Sequence, residues 1–160
     1  MQVLILYFSK TGNTKKLAEE ISVGVNEIKG INCILRSTSE VTKDDFLDSQ
    51  AIIAGSPVYF GTMAAELKEV FDKFVVIRKK MEDKIGAAFA TSGDDSGGKE
   101  TTLTSIIHAM LIYGMIIVGD PLDATGHYGV SCVGEPGKIT IENAKKLGRR
   151  VASLVKKLNL

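Results

Sequence analysis

The chain has 160 residues, 44% apolar content, two cysteines and a formal net charge of +1. That length supports one domain, residues 1–160, with a core able to fold without staples; Cys33 and Cys132, lacking CxxC or ligand spacing, point away from a disulfide framework or a zinc site. Interspersed charges leave no footprint for nucleic acid, and with no signal peptide and no apolar run of membrane length the expected location is cytoplasmic, away from nucleic acid and membrane alike.

Val3 to Phe8 is an unbroken apolar run, the habit of a strand covered on both faces in a parallel sheet. It stops at Ser9-Lys10-Thr11-Gly12-Asn13-Thr14. Leu17, Ile21, Val25 and Ile28 then recur at helical spacing, so a helix begins at Asn13 or Thr14. A strand-to-helix turn of this kind aims free backbone N–H groups and the positive end of a helix dipole at one point, where an anion is stabilised. The turn has neither the second glycine and lysine of a P-loop nor the three glycines of a dinucleotide fingerprint. Its neutral Ser9, Thr11, Asn13 and Thr14 suit a phosphomonoester held without a metal, although the same residues would also make an ordinary helix cap.

Ile31 to Arg36 reads as the second strand, followed by a helical turn over Lys43 to Leu47. Ala51 to Gly55 is the third, ending in SPVYFGT; Thr62 is placed to cap a helix with Leu67, Val70, Phe71 and Phe74 on one face. Ile85 to Thr91 is the fourth, ending in SGDDSGGKETT ahead of an apolar helix with Leu103, Ile106, Ile107, Met110 and Leu111. Met115 to Gly119 is the fifth. Asp120 to Lys138 is a glycine-rich segment expected to fold over the rim, and Thr140 caps a last helix with Ala144, Leu147, Val151, Leu154 and Leu158 inward. Five strands alternating with helices predict a doubly wound α/β fold, a parallel sheet of order 2-1-3-4-5 with helices on both faces.

In that order the loops after strands one, three and four become neighbours beyond the strand C-termini, where ligands bind. A phosphorelay receiver of the same topology would need acidic residues and a phosphorylatable aspartate there; Ser9 and Ser56 stand in those places. Pro57, Val58, Tyr59, Phe60 and Gly61 form a stiff aromatic turn suited to a flat heterocycle, and Gly93, Gly97 and Gly98 let backbone N–H groups approach ring carbonyls and nitrogens. A terminal phosphate and a flat ring together spell flavin mononucleotide, FMN. Tyr59 and Phe60 as core residues, and the glycines as plain loop residues, are the bland alternatives.

The motifs SKTGNT, GSPVYFGTM, TSGDDSGGKETTL and YGMIIVG, in this order over nearly the whole chain, resemble the flavodoxin-like FMN proteins, most of all the tryptophan-repressor-binding-protein type of NAD(P)H:quinone oxidoreductase. The resemblance implies that Ser9, Thr11, Gly12, Asn13 and Thr14 cradle the phosphate. It implies that Pro57, Val58, Tyr59, Phe60, Gly61 and Thr62 meet the isoalloxazine, and that Ser92, Gly93, Asp94, Gly97 and Gly98 line its other edge. Tyr113 stands where that family often carries a histidine near the flavin, and is equally readable as a packing residue at a helix end.

Enzyme and carrier readings both follow. A carrier flavodoxin typically buries the flavin between aromatics of two loops and has an acidic surface, whereas Ser92 to Lys99 holds no aromatic and the chain holds no Trp. An open flavin face, with Gly93, Gly97 and Gly98 leaving space, favours an oxidoreductase passing electrons from NAD(P)H through FMN to a quinone or similar acceptor. The alternative is an electron-transfer carrier between redox partner proteins; assembly into a homo-oligomer stays open. No acid or base catalyst is required. His127 and Tyr128 are candidates for a substrate-side role, His108 reads as a helix residue, and Asp94 with Asp95 reads as a solvated turn with no metal.

Overall fold

The computed structural model describes residues 1–158. The elements are β1 (Gln2–Tyr7), α1 (Asn13–Asn26), β2 (Asn32–Ser37), α2 (Lys43–Asp48), β3 (Ala51–Tyr59), β4 (Thr62–Met63), α3 (Ala65–Phe74) with a 3-10 extension over Val75–Lys80, β5 (Ile85–Ser92), α4 (Lys99–Ile112), β6 (Ile116–Ile117), β7 (Val130–Val133) and α5 (Lys138–Leu158). The fold is the flavodoxin-like α/β arrangement expected, a parallel sheet β2-β1-β3-β5-β6 between two helical layers. No helix among the described residues is long and apolar enough to cross a membrane.

Side chains alternate between the sheet faces because successive Cβ atoms point to opposite sides of a strand. Val3, Ile5 and Tyr7 of β1 join Ile53 and Phe89 beneath α1 and α5, while Leu4 and Leu6 join Ile52 and Ala88 beneath α3 and α4, with Phe46 of α2. Both faces of β1 are buried, which is why its sequence shows no alternation. Where α1 crosses α5, a Cβ on Gly24 would run into the Lys145 carbonyl and one on Gly148 into that of Ile21. Only paired glycines let these backbones approach so closely.

Three departures from the expected elements matter for the site. The third strand continues through Ser56-Pro57-Val58-Tyr59, and Thr62–Met63 returns antiparallel against it, pairing Tyr59 with Thr62 and Val58 with Met63. Thr62 is thus a strand residue rather than a cap, and α3 starts after Ala64, which has no side-chain cap. The fifth strand is interrupted: Ile116–Ile117 pairs with Ile85–Gly86 and Val130–Val133 with Phe89–Ser92, the chain leaving the sheet in between. Finally, α5 begins at Lys138 rather than at Thr140, and Val155 is buried whereas Leu158 is 49% exposed.

The excursion between β6 and β7 is closed by its own hydrogen bonds and by bonds to α5. Asp120 is its centre: Oδ2 accepts the Gly129 amide at 2.8 Å, and its carbonyl accepts Arg150 Nη1 at 2.7 Å. Asn143 Nδ2 donates to Thr125 Oγ1 at 2.6 Å and Lys146 Nζ to the Asp123 carbonyl at 2.7 Å, so α5 holds the excursion down.

Candidate cofactor site

Gly12 ends the β1–α1 turn at φ 98°, a left-handed conformation that a side chain would strain, and it occupies the N-cap of α1 without offering a side-chain cap. The hydroxyl of Ser9 takes that place, accepting the amides of Gly12 and Lys15 at 3.2 Å each, while Lys16 donates to the Gly12 carbonyl at 2.9 Å. The amides of Asn13 and Thr14, in the first turn, have no intrahelical acceptor by the geometry of a helix start. They and the α1 dipole face the mouth of the turn, where an anion is stabilised.

From there a cavity of about 380 Å³ runs along the rim, lined by Lys10, Thr11, Asn13, Thr14, Pro57, Val58, Tyr59, Thr91, Ser92, Gly93 and Gly134. Loops after β1, β3 and β5 therefore do meet at one place. Tyr59 is the sole aromatic in this lining, steadied by an edge-on contact with Phe8, ring centroids 6.4 Å apart. At the polar end, Thr14 and Thr91 share a hydroxyl–hydroxyl hydrogen bond of 2.7 Å, both side chains buried.

The remaining expected site residues fall into three groups. Ser9 and Gly12 shape the turn from behind. Phe60 and Gly61 form the two-residue turn of the β3–β4 hairpin, both left-handed at φ 51° and 75°. That turn type favours Asn-Gly, and Phe60 adopts the strained conformation while fully exposed. Gly61 rests against Gly98, also left-handed at φ 99°, so the aromatic turn and the start of α4 touch backbone to backbone. Ser92 Oγ bonds the Asp94 carbonyl and accepts the Asp94 amide, with Gly97 closing the loop onto that carbonyl at 3.2 Å.

The glycines of this loop differ from the expectation that all three leave space. A Cβ on Gly97 would strike Ser92 Oγ, and one on Gly98 would press on Gly61; Gly93 has nothing within 4 Å. Gly93 alone is open. Asp94 and Asp95 are exposed turn residues, and no group of three or more His, Cys, Asp or Glu able to hold a metal occurs among the described residues.

Tyr113 lies at the other end of the sheet: its hydroxyl donates to the Phe71 carbonyl, its ring packs edge-on against Phe71, and burial pushes its pKa up. A residue that precedes a strand sits at that strand's N-terminal end, away from the rim. His127 and Tyr128 also stand apart, lining a separate cavity of about 220 Å³ with Asp120, Lys99 and Asn143. There burial pushes the Asp120 carboxyl above its ordinary range, opposed by the Gly129 amide and by His127 and Arg150; Oδ1 has no partner. His108 is exposed on α4, and burial raises both cysteine thiols, Cys33 to about 11.

Thr91, Lys10 and Gly134 line the cavity without having been singled out. Thr91 closes the fourth strand and Lys10 lies within SKTGNT, both at the rim by topology. Gly134 follows β7, whose C-terminal end reaches the same rim and ties to it through the Gly134 amide and the Ser92 carbonyl at 2.8 Å. The alternation in Val130-Ser131-Cys132-Val133, buried at Val130 and Cys132, was the signal for that strand.

A doubly wound parallel sheet with an anion cradle of hydroxyls and free amides opening onto a cleft beside Tyr59 defines a flavoprotein of the flavodoxin-like class. The model of the NADPH-dependent FMN reductase family matches residues 36–128, and the chain belongs to that family. It is 34% identical to a flavodoxin of Aquifex aeolicus over 96% of this chain and 86% of that one. It is 31% identical to an NAD(P)H dehydrogenase (quinone) of Archaeoglobus fulgidus over 98% of each. Among solved structures, a flavodoxin from the domain Archaea superposes with a TM-score of 0.83 at 28% identity, covering 98% of this chain and 99% of that one. FMN is the cofactor of this redox protein. Its fit is testable on the residues present: free helix-start amides, a turn that tolerates no side chain at Gly12, neutral hydroxyls in place of a metal, and a cleft that ends beside one aromatic ring.

Proposed function

We propose that the chain is an FMN-dependent NAD(P)H:quinone oxidoreductase of the tryptophan-repressor-binding-protein type. Thr11, Asn13 and Thr14 hold the phosphate over a turn set by Ser9 and Gly12. Pro57, Val58 and Tyr59 meet one side of the isoalloxazine, with Phe60, Gly61 and Thr62 as the turn that carries them. Ser92 and Gly93 meet its edge, backed by Asp94, Gly97 and Gly98. Bound FMN would supply the two-electron redox chemistry by which NAD(P)H, a proton and a quinone would yield NAD(P)⁺ and a quinol.

The observation that carries the enzyme reading is the open rim at Gly93. No side chain approaches it, and the loop to Gly98 supplies no ring, so a second planar molecule has room to stack where a carrier would place an aromatic. The protein's part is to bind and orient; no side chain at the rim is needed to move a proton. The flavodoxin relative favours a second reading, a carrier that passes electrons between redox partner proteins.

The experiment is direct. Purified protein should be yellow and release FMN, not FAD, on denaturation, and it should oxidise NADH or NADPH with a benzoquinone over many turnovers. Protein that fails to quench FMN fluorescence on titration overturns the cofactor assignment. FMN-loaded protein that ignores both nicotinamides yet exchanges single electrons with a reduced redox partner establishes the carrier.

A further inference from the structure

We propose that Thr91 is the positioning residue that sets the proton direction of the phosphate cradle and so decides how strongly the site prefers FMN to riboflavin; the inference rests on the FMN site proposed above. Thr91 ends β5, outside the SKTGNT turn, yet its Oγ1 lies 2.7 Å from Oγ1 of Thr14 across the floor of the cleft. The two hydroxyls own two hydrogens, and one is consumed in the bond between them. The second has no other acceptor among the side-chain hydrogen bonds of the described residues, and with Thr14 2% and Thr91 5% exposed, water has little access to it. A buried donor without an acceptor is costly until a ligand supplies one.

Which hydroxyl keeps the spare hydrogen depends on what faces it. Thr14 belongs to the first turn of α1, beside the free amides, so an anion there receives a hydrogen bond from Thr14 only if Thr91 donates to Thr14. In the opposite orientation Thr14 would point a lone pair at the phosphate. Thr91 therefore holds Thr14 as a donor toward the ligand, and chained hydroxyls of this kind strengthen one another.

The test is a double-mutant cycle on the full chain, with FMN and riboflavin binding read by fluorescence. Thr91→Val should weaken FMN about threefold to tenfold, because Thr14 keeps its own hydrogen for the phosphate but loses the neighbouring hydroxyl that orients and polarises it, and should leave riboflavin unchanged. Thr91→Ser should restore FMN binding. Thr14→Ala combined with Thr91→Val should bind FMN no more weakly than Thr14→Ala alone, because the second change acts through the first. Should Thr91→Val not fold, Thr91→Ala carries the same expectations. Equal losses for FMN and riboflavin, multiplying losses in the double variant, or failure of Thr91→Ser to rescue overturns the inference while leaving the FMN site standing. Native protein that binds riboflavin as tightly as FMN overturns the phosphate site itself, and this inference with it.

Discussion

The two ends of the cleft are built in opposite ways. At the phosphate end, Ser9, Gly12 and the Thr14–Thr91 pair are tied into helix and strand by hydrogen bonds, and the donors stand ready before any ligand arrives. At the ring end, Phe60 stands fully exposed in a left-handed conformation, Asp94 and Asp95 are exposed, and a Cβ added at Gly93 would meet nothing within 4 Å. Folding alone completes the first end, whereas the second gains most of its contacts from whatever binds. On the proposed site, affinity would come mainly from the phosphate and exchange of partners would take place at the ring.

The largest effect that sharpens this contrast is expected at the phosphate end. Thr14→Ala should weaken FMN roughly tenfold to a hundredfold, the loss of about 1.5–3 kcal/mol for a hydrogen bond to a charged group, with riboflavin little changed. Ser9→Ala should weaken FMN less, by distorting the turn, and should lower the melting temperature, since its hydroxyl accepts two turn amides. Parallel losses of riboflavin would show that the turn is structural.

At the ring end, Gly93→Tyr should keep FMN affinity within about threefold while quinone turnover with NAD(P)H falls roughly tenfold, an effect of about 1.4 kcal/mol on the barrier. Gly97→Tyr should damage both, because Ser92 must give way. Unchanged turnover in a Gly93→Tyr variant that still binds FMN would move the open face elsewhere.

Smaller again is the release of strain in the hairpin turn. Phe60→Asn supplies the residue that the turn prefers and should raise stability by about 1 kcal/mol, or roughly 2–4 °C in melting temperature. Any loss of binding should be shared equally by FMN and riboflavin, as befits a contact to the ring alone. A lowered melting temperature would contradict the strained assignment.

Asp120 lies outside both ends and serves as the control. Its pKa is raised in the folded chain, so folding favours the neutral form; that contribution is present below the unfolded value and is lost as pH rises through the folded one. Asp120→Asn keeps an acceptor for the Gly129 amide without the buried charge. It should melt about 2 °C higher near pH 7, the gain shrinking toward zero as the pH falls below 4, with cofactor affinity unaltered. A gain independent of pH would exclude ionisation as the cause.

Strand order and the meeting of three loops were legible in the sequence because both follow from alternating strands and helices and from the handedness of crossovers. The two-residue β4 was not, since two residues carry no period. The interruption of the fifth strand was hidden for a related reason: its second half is four residues long and lies in glycine-rich chain that reads as loop. Tyr113 could have been placed by topology, because the start of a strand is remote from the rim. That Gly97 is tight and Gly93 open could not, as spacing gives the backbone's freedom but not what stands opposite. The Thr14–Thr91 bond joins residues 77 positions apart and leaves no local signature.

The crossing of Gly24 and Gly148 has a kinetic consequence. The turn proposed to receive the phosphate is carried by α1, and α1 is seated by a helix from the far end of the chain. Contacts of such sequence separation close slowly and late in folding. A refolding chain should therefore form much of its sheet before it can discriminate FMN from riboflavin, and added FMN should slow unfolding while leaving the folding rate nearly unchanged. A chain cut before α5 would emerge without an assembled anion site, however intact its SKTGNT turn.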